Sequence, residues 1–313
     1  MRLVSYDETD HDDVLSMNLQ AFGWPITEEV VKKYLKHDER WMDIVGVYAI
    51  ERGRTIGQVL PLRIPTRTRE GVEVVGGIAG VTVVPDKARR GIATTLMKAA
   101  HNILRENDIR IAFLLTAESL VAYDLYLNLG YIDALSLGSA QKLVRAPRKP
   151  KDGVLRTYRK KDWRTTDEMY SRSVRRLLGF AVRQPAYLNM KIDTTPLTCK
   201  SISLADGREA QGYVVKSPGE NSVVVREVAC PTERSFHKIM ASIEVEAAKK
   251  RIFVYYLTSR LLQRRFERRG YRLDRKTWMR MMAVPLVRSL SRKKLIELYD
   301  FDRSFSMMGL DIF

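Results

Sequence analysis

Cysteine and histidine are scarce: two and four in 313 residues. Cys199 and Cys230 lie far apart and fit no ligand spacing, and His11, His37, His101 and His237 form no ligand pair, so neither a metal site nor a disulfide framework is expected. No apolar run approaches the roughly 18 residues of a membrane span. The opening MRLVSYDETDHDD lacks the apolar core of a secretion signal. These absences lead us to expect a cytoplasmic, reducing setting with no membrane partner.

What is present is a globular composition, 45% apolar and 29% charged, in a chain long enough for two domains. Charge is unevenly spread. Residues 1–150 hold 20 Lys+Arg against 19 Asp+Glu, so nearly all of the net +17 falls in residues 151–313. Such a half suits an acidic partner or nucleic acid, or simply a well-solvated surface.

The hydrophobic pattern of residues 1–145 reads β-α-α-β-β-β-α-β-α-β. A helix is expected over residues 10–22, a second from Thr27, strands over 45–51, 55–63 and 72–84, and a helix after Gly91. A strand over 111–116, a helix over 119–129 and one or two strands over 132–144 complete the half. The stretch GVTVVPDKARRGIATT, residues 80–95, joins a strand ending at Pro85 to a helix opening after Gly91. A helix N-terminus leaves backbone N–H groups unpaired and carries partial positive charge, so this turn can hold a phosphate.

This stretch resembles motif A of the GCN5-related N-acetyltransferase (GNAT) superfamily, V-x-P-x-x-[Q/R]-x-x-G-x-[G/A], with Ala88 standing where Gln or Arg is usual. The resemblance implies an α/β fold with a mixed, mostly antiparallel sheet flanked by helices. It also implies acetyl-coenzyme A as cosubstrate, with no metal. The pyrophosphate would rest on Arg89, Arg90, Gly91, Ile92, Ala93 and Thr94, and the pantetheine arm and acetyl group along Val81, Thr82 and Val83. A second stretch, AYDLYLNLGY (122–131), resembles motif B and places Tyr126 as the general acid toward the departing thiolate. Tyr123, one turn earlier, is the alternative acid, and a plain core role for Tyr126 stays open. Glu118, just past the strand over 111–116, is the candidate carboxylate base, beside the reading of a solvated loop acid.

Residues 147–153 have the proline and charge of a linker, and the chain beyond them resembles a worn copy of the first half. RIFVYYLTSRLLQRRFERRGYRLD (251–274) parallels residues 111–133, with Gly270-Tyr271 on Gly130-Tyr131 and Phe266 where Tyr126 stands. EVACPTERSFHKI (227–239) has no phosphate turn. We therefore expect a catalytic domain over 1–146, a degenerate GNAT-like domain over 154–286 and a tail over 287–313. The tandem is similar to the enhanced-intracellular-survival acetyltransferases without their third domain. That likeness implies the carboxylate of Phe313 as base, beside the reading of an ordinary tail.

The expected function is acetyl transfer to a primary amine, on a small molecule or a protein. The alternative is a non-catalytic regulator or nucleic-acid-associated protein, using the basic stretch 260–280 with Phe266, Tyr271 and Trp278 as stacking groups.

Overall fold

The computed structural model describes residues 1–145, 155–207 and 210–311. The first part runs β1 (Arg2–Val4), α1 (His11–Phe22), α2 (Glu28–His37), β2 (Val47–Glu51), β3 (Arg54–Thr68), β4 (Gly71–Val83), α3 (Ile92–Glu106), β5 (Ile111–Ala117), α4 (Val121–Asn128), β6 (Ile132–Ser136) and β7 (Gly138–Leu143). It continues with β8 (Arg156–Thr157), α5 (Trp163–Ser173), β9 (Leu178–Gly179), α6 (Tyr187–Thr194), β10 (Ile202–Gly207), β11 (Ala210–Pro218), β12 (Ser222–Ala229) and α7 (Glu233–Glu246). Then come β13 (Arg251–Leu257), α8 (Arg260–Arg268), β14 (Arg272–Asp274), β15 (Met279–Pro285), α9 (Arg292–Tyr299) and β16 (Phe305–Ser306).

Local signals set the helix ends. The Asp10 carboxylate accepts from the N–H groups of Asp12 and Asp13 to start α1, and Gly23, at φ 63°, stops it. Thr27 caps α2 through the Val30 N–H, with Lys36 and His37 in the last turn, where positive charge suits the dipole.

The strands form two mixed sheets, as the α/β reading expects. One runs β1-β2-β3-β4-β5-β15-β6 and the other β14-β7-β13-β12-β11-β10-β8. Each main path holds one parallel pair, β4 with β5 and β12 with β13. Helices cover the faces and create three apolar clusters: two on the first sheet, around Phe113 and around Leu96, and one on the second, around Phe236.

The strand order departs from the linear reading. β6 and β7 are separated only by Leu137, yet they enter different sheets. β15 pairs with β5 over seven residues, from Met279↔Ala117 to Pro285↔Ile111, and with β6 on its other side. β7 does the reciprocal job, between β13 and β14. Each half thus gives its last strand to the sheet of the other, and a cut near residue 150 does not separate one sheet from the other. The stretch 147–153 expected as a linker lies outside the described residues.

The segment from residue 287 is not merely a tail. Leu295, Leu298, Tyr299, Phe301 and Phe305 are buried in the first sheet's core, and Met308 and Leu310 in the second's. β16 pairs with β9, which meets β3 at Arg67↔Gly179. Gly179 is required there: its φ is 83°, and a Cβ would lie 2.6 Å from the Phe305 ring.

Because the sheets share strands, calorimetry of the full chain should show one cooperative transition, and two resolved transitions would contradict the exchange. His101 of α3 is buried, with Nε2 2.8 Å from the Tyr131 hydroxyl. Burial, aided by Arg105, pushes its pKa down to about 4. Its stabilising share should be complete above the ordinary His value of about 6.5 and be lost as pH falls toward 4, roughly 3 kcal/mol in all. His101→Gln, which cannot titrate there, should flatten that acid limb in denaturant titrations across pH.

Candidate active site

β4 and β5 pair only at Gly76↔Ala112, Gly77↔Phe113 and Ile78↔Leu114, although β4 runs on to Val83 and β5 to Ala117. Beyond Ile78 the facing backbone edges diverge into a wedge. The cause is a β-bulge. Leu60 lies opposite Ala79 and Gln58 opposite Thr82, so Gly80 and Val81 together face the single residue Val59. Gly80 adopts φ 57°, and a Cβ there would come within 2.8 Å of Leu60 Cδ1. Only glycine suits that conformation in that space. Val81, Thr82 and Val83 line the diverging edge and are half-buried.

At the end of β4 the chain makes one 3-10 turn, Pro85–Lys87, passes through Arg89 at φ 61°, and starts α3 from Gly91 at φ 77°. No side chain caps α3, so its first-turn N–H groups, at Ile92, Ala93 and Thr94, have no intrahelical acceptor. A Cβ on Gly91 would meet nothing within 4 Å, which leaves open space in front of these donors. Lys87 is held by Glu51 at 2.6 Å, whereas Arg89 and Arg90 are exposed and ion-pair with no described residue. Ala88, the departure from the motif, is exposed. The turn offers oriented donors and two exposed guanidinium groups, the chemistry of a phosphate site.

α4 supplies the phenols. Tyr126 is buried in the cluster that also packs Val81, Val83, Ile92 and Leu114, and its hydroxyl bonds to no described residue. Burial pushes its pKa up to about 12, so the proton stays on at neutral pH. Tyr131 fixes it from behind: the rings are 5.8 Å apart, and the Tyr131 N–H donates to the Tyr126 carbonyl at 3.0 Å. Tyr123 is differently placed. Its hydroxyl already donates to Asp133 Oδ2 at 3.1 Å, and burial and the Asp133 charge raise its pKa. Glu118 is engaged by Arg280, which also pairs with Asp133 at 3.2 Å. Phe313 lies outside the described residues.

The second sheet repeats this geometry in closed form. β12 and β13 part after Val225↔Val254, with a bulge at Arg226. Here the chain's own C-terminal segment fills the wedge. Met307 and Thr258 exchange hydrogen bonds at 2.8 and 3.0 Å, and Gly309 sits so close that a Cβ would lie 2.2 Å from the Arg226 carbonyl oxygen. Only about 20 Å3 stays free between Val228, Tyr256, Met308 and their neighbours. At α7 the Thr232 hydroxyl accepts from the Ser235 N–H, and Glu233 adds a carboxylate to the first turn. Phe266, at the place of Tyr126, is fully buried against Phe236 and Tyr271 at 4.9 and 5.0 Å.

The basic stretch is largely committed within the fold. Arg265 donates to the Cys230 carbonyl, and Arg268, Arg269, Arg275 and Arg280 pair with Glu233, Glu244, Glu267 and Asp133. Phe266 and Tyr271 are buried, so of the three stacking groups expected only Trp278, 75% exposed, is accessible. Sequence reasoning also missed Asn18, Gln58 and Arg183. Arg183 is buried between the Tyr170 and Tyr187 rings, on Glu227 and Asp311. For Asn18 and Gln58 the one signal available was a polar residue among apolar neighbours. A cavity of about 720 Å3, lined by Arg63, Val74, Arg183 and Asp311, lies toward the start of β4 and is separate from the wedge. Among the described residues no cluster of His, Cys, Asp or Glu could hold a metal, and no helix is long and apolar enough to cross a membrane.

Comparison with known proteins agrees with this geometry. Residues 2–132 match the family model described as an acetyltransferase (GNAT) domain. No curated protein sequence matches the chain. Among solved structures, a GCN5-related N-acetyltransferase from Kribbella flavida is 18% identical with a TM-score of 0.62, covering 91% of this chain and 72% of its own. Eis1 from Mycobacterium abscessus is 15% identical with a TM-score of 0.59, covering 86% and 70%. A putative acetyltransferase from Pyrococcus horikoshii is 13% identical with a TM-score of 0.56, covering 97% and 94%. Identities this low speak to the fold, and the fold is shared across nearly the whole chain. Residues 2–132 thus match an acetyltransferase (GNAT) domain, and the two sheets together share the fold of solved GCN5-related N-acetyltransferases.

Proposed function

We propose that this chain moves an acetyl group from acetyl-coenzyme A to a primary amine in the first sheet's wedge. One observation carries the reading: the uncapped α3 N-terminus adjoins an open wedge, while the equivalent helix and wedge of the second sheet are capped and filled. The residues present suit the cosubstrate. The N–H groups of Ile92, Ala93 and Thr94, with Arg89 and Arg90, would take the pyrophosphate, and the backbone edge of Val81–Val83 would pair with the pantetheine amides.

Acetyl-coenzyme A supplies a thioester whose carbonyl carbon accepts the amine. A C–N bond forms, the C–S bond breaks, and the thiolate takes the Tyr126 phenolic proton. Tyr126 suits this role better than Tyr123, whose proton is already shared with Asp133. The proton lost by the amine passes to water. The strongly positive charge of residues 151–313 weighs against polycationic acceptors.

Gly91→Glu sets a carboxylate in the open space before the α3 donors. We expect an intact fold and at least a hundredfold loss of acetyl-coenzyme A affinity by calorimetry, and unchanged affinity would refute the phosphate site. Tyr126→Phe should keep that affinity while kcat falls about a hundredfold in a thiol-release assay against a panel of amines. The same kcat loss in Tyr123→Phe instead would move the acid role one helical turn.

A further inference from the structure

The bulge that opens the wedge is held by two buried amides that the proposed chemistry does not use. Asn18 of α1 and Gln58 of β3 are both fully buried. Their side chains pair reciprocally: Asn18 Nδ2 donates to Gln58 Oε1 at 2.9 Å, and Gln58 Nε2 donates to Asn18 Oδ1 at 2.8 Å. Each nitrogen has a second proton. Asn18 gives its own to the Val14 carbonyl at 2.8 Å, and Gln58 gives its own to the Gly80 carbonyl at 3.1 Å. All four N–H donors are therefore used, and the last of them ends on the bulge.

We propose that Asn18 and Gln58 are positioning residues for acetyl transfer, fixing the peptide after Gly80 so that the Val81 edge faces the thioester. This rests on the acetyl-transfer reading given above. The argument is one of chemistry and place. An apolar pair would dock α1 on the sheet equally well, without the cost of burying four polar atoms. What an apolar pair cannot do is donate to the Gly80 carbonyl, which the bulge turns out of the strand ladder. Gln58 also lies in register with Thr82 on the wedge edge, so displacement of Gln58 passes directly to that edge. A shift of the order of 1 Å in a reacting group can cost about a hundredfold in rate.

The test separates packing from positioning. Asn18→Leu or Gln58→Leu alone strands a buried amide and should lower Tm. Combining them replaces both amides by apolar groups of similar size and should restore much of the Tm, because no polar partner is left unpaired. If the pair positions the bulge, kcat in the double variant stays ten- to a hundredfold below wild type, with acetyl-coenzyme A affinity within about threefold. Recovery of kcat along with Tm would overturn the proposal. Gln58→Glu gives an independent reading, since an ionised carboxylate cannot donate to the Gly80 carbonyl whereas a protonated one can. Its kcat relative to wild type should rise as pH falls, and a constant ratio would count against the role. Wild-type protein that binds acetyl-coenzyme A but acetylates nothing would overturn the acetyl-transfer reading and this inference together. An active wild type with an equally active double variant removes the inference alone.

Discussion

The insertion of β15 between β5 and β6 is the constraint on which the rest of the structure depends. A strand edge buried without a partner leaves a row of N–H and C=O groups unpaired, which no small core offsets. β5 and β6 meet that need only through residues 279–285, and β13 and β14 only through β7. The two sheets are therefore completed together. The segment from α9 to Asp311 ties them again, with Phe305 in one core and Met308 and Leu310 in the other.

Within that shared frame the two copies differ through backbone donors and space rather than through shape. Both sheets have a parallel pair, a bulge and a diverging edge. In the first, Gly91 leaves the α3 donors uncapped and the wedge is lined by half-buried Val81, Thr82 and Val83. In the second, Thr232 and Glu233 satisfy the equivalent donors and the terminal segment fills the cleft. A duplicated fold thus carries one candidate site, and the second copy serves the first by completing its sheet.

Much of this was legible. The alternation of residues 72–84, the Gly91 turn and the apolar face of α3 are matters of local chemistry, so the strand, the turn and the helix start of the candidate phosphate site could be read one residue after another. Tyr126 was legible through its spacing from Gly130, and the loss of its hydroxyl in the second copy through Phe266. The basic stretch was less legible as a candidate nucleic-acid surface, for a physical reason. Charge counts do not show which guanidinium groups are already paired, nor that Phe266 and Tyr271 face inward.

Sequence by itself determined the main elements of the first half, the uncapped turn and the candidate acid, because each depends on residues within one strand, turn or helix of one another. Only the tertiary structure decided which sheet β7 and β15 join, what fills the second wedge, and that Asn18 and Gln58 meet at the Gly80 carbonyl. Those outcomes depend on pairings between residues 22 to more than 160 positions apart. A strand's hydrogen-bonding edge carries no mark of its partner, so the choice is made when the edges and apolar faces of the whole chain are satisfied at once.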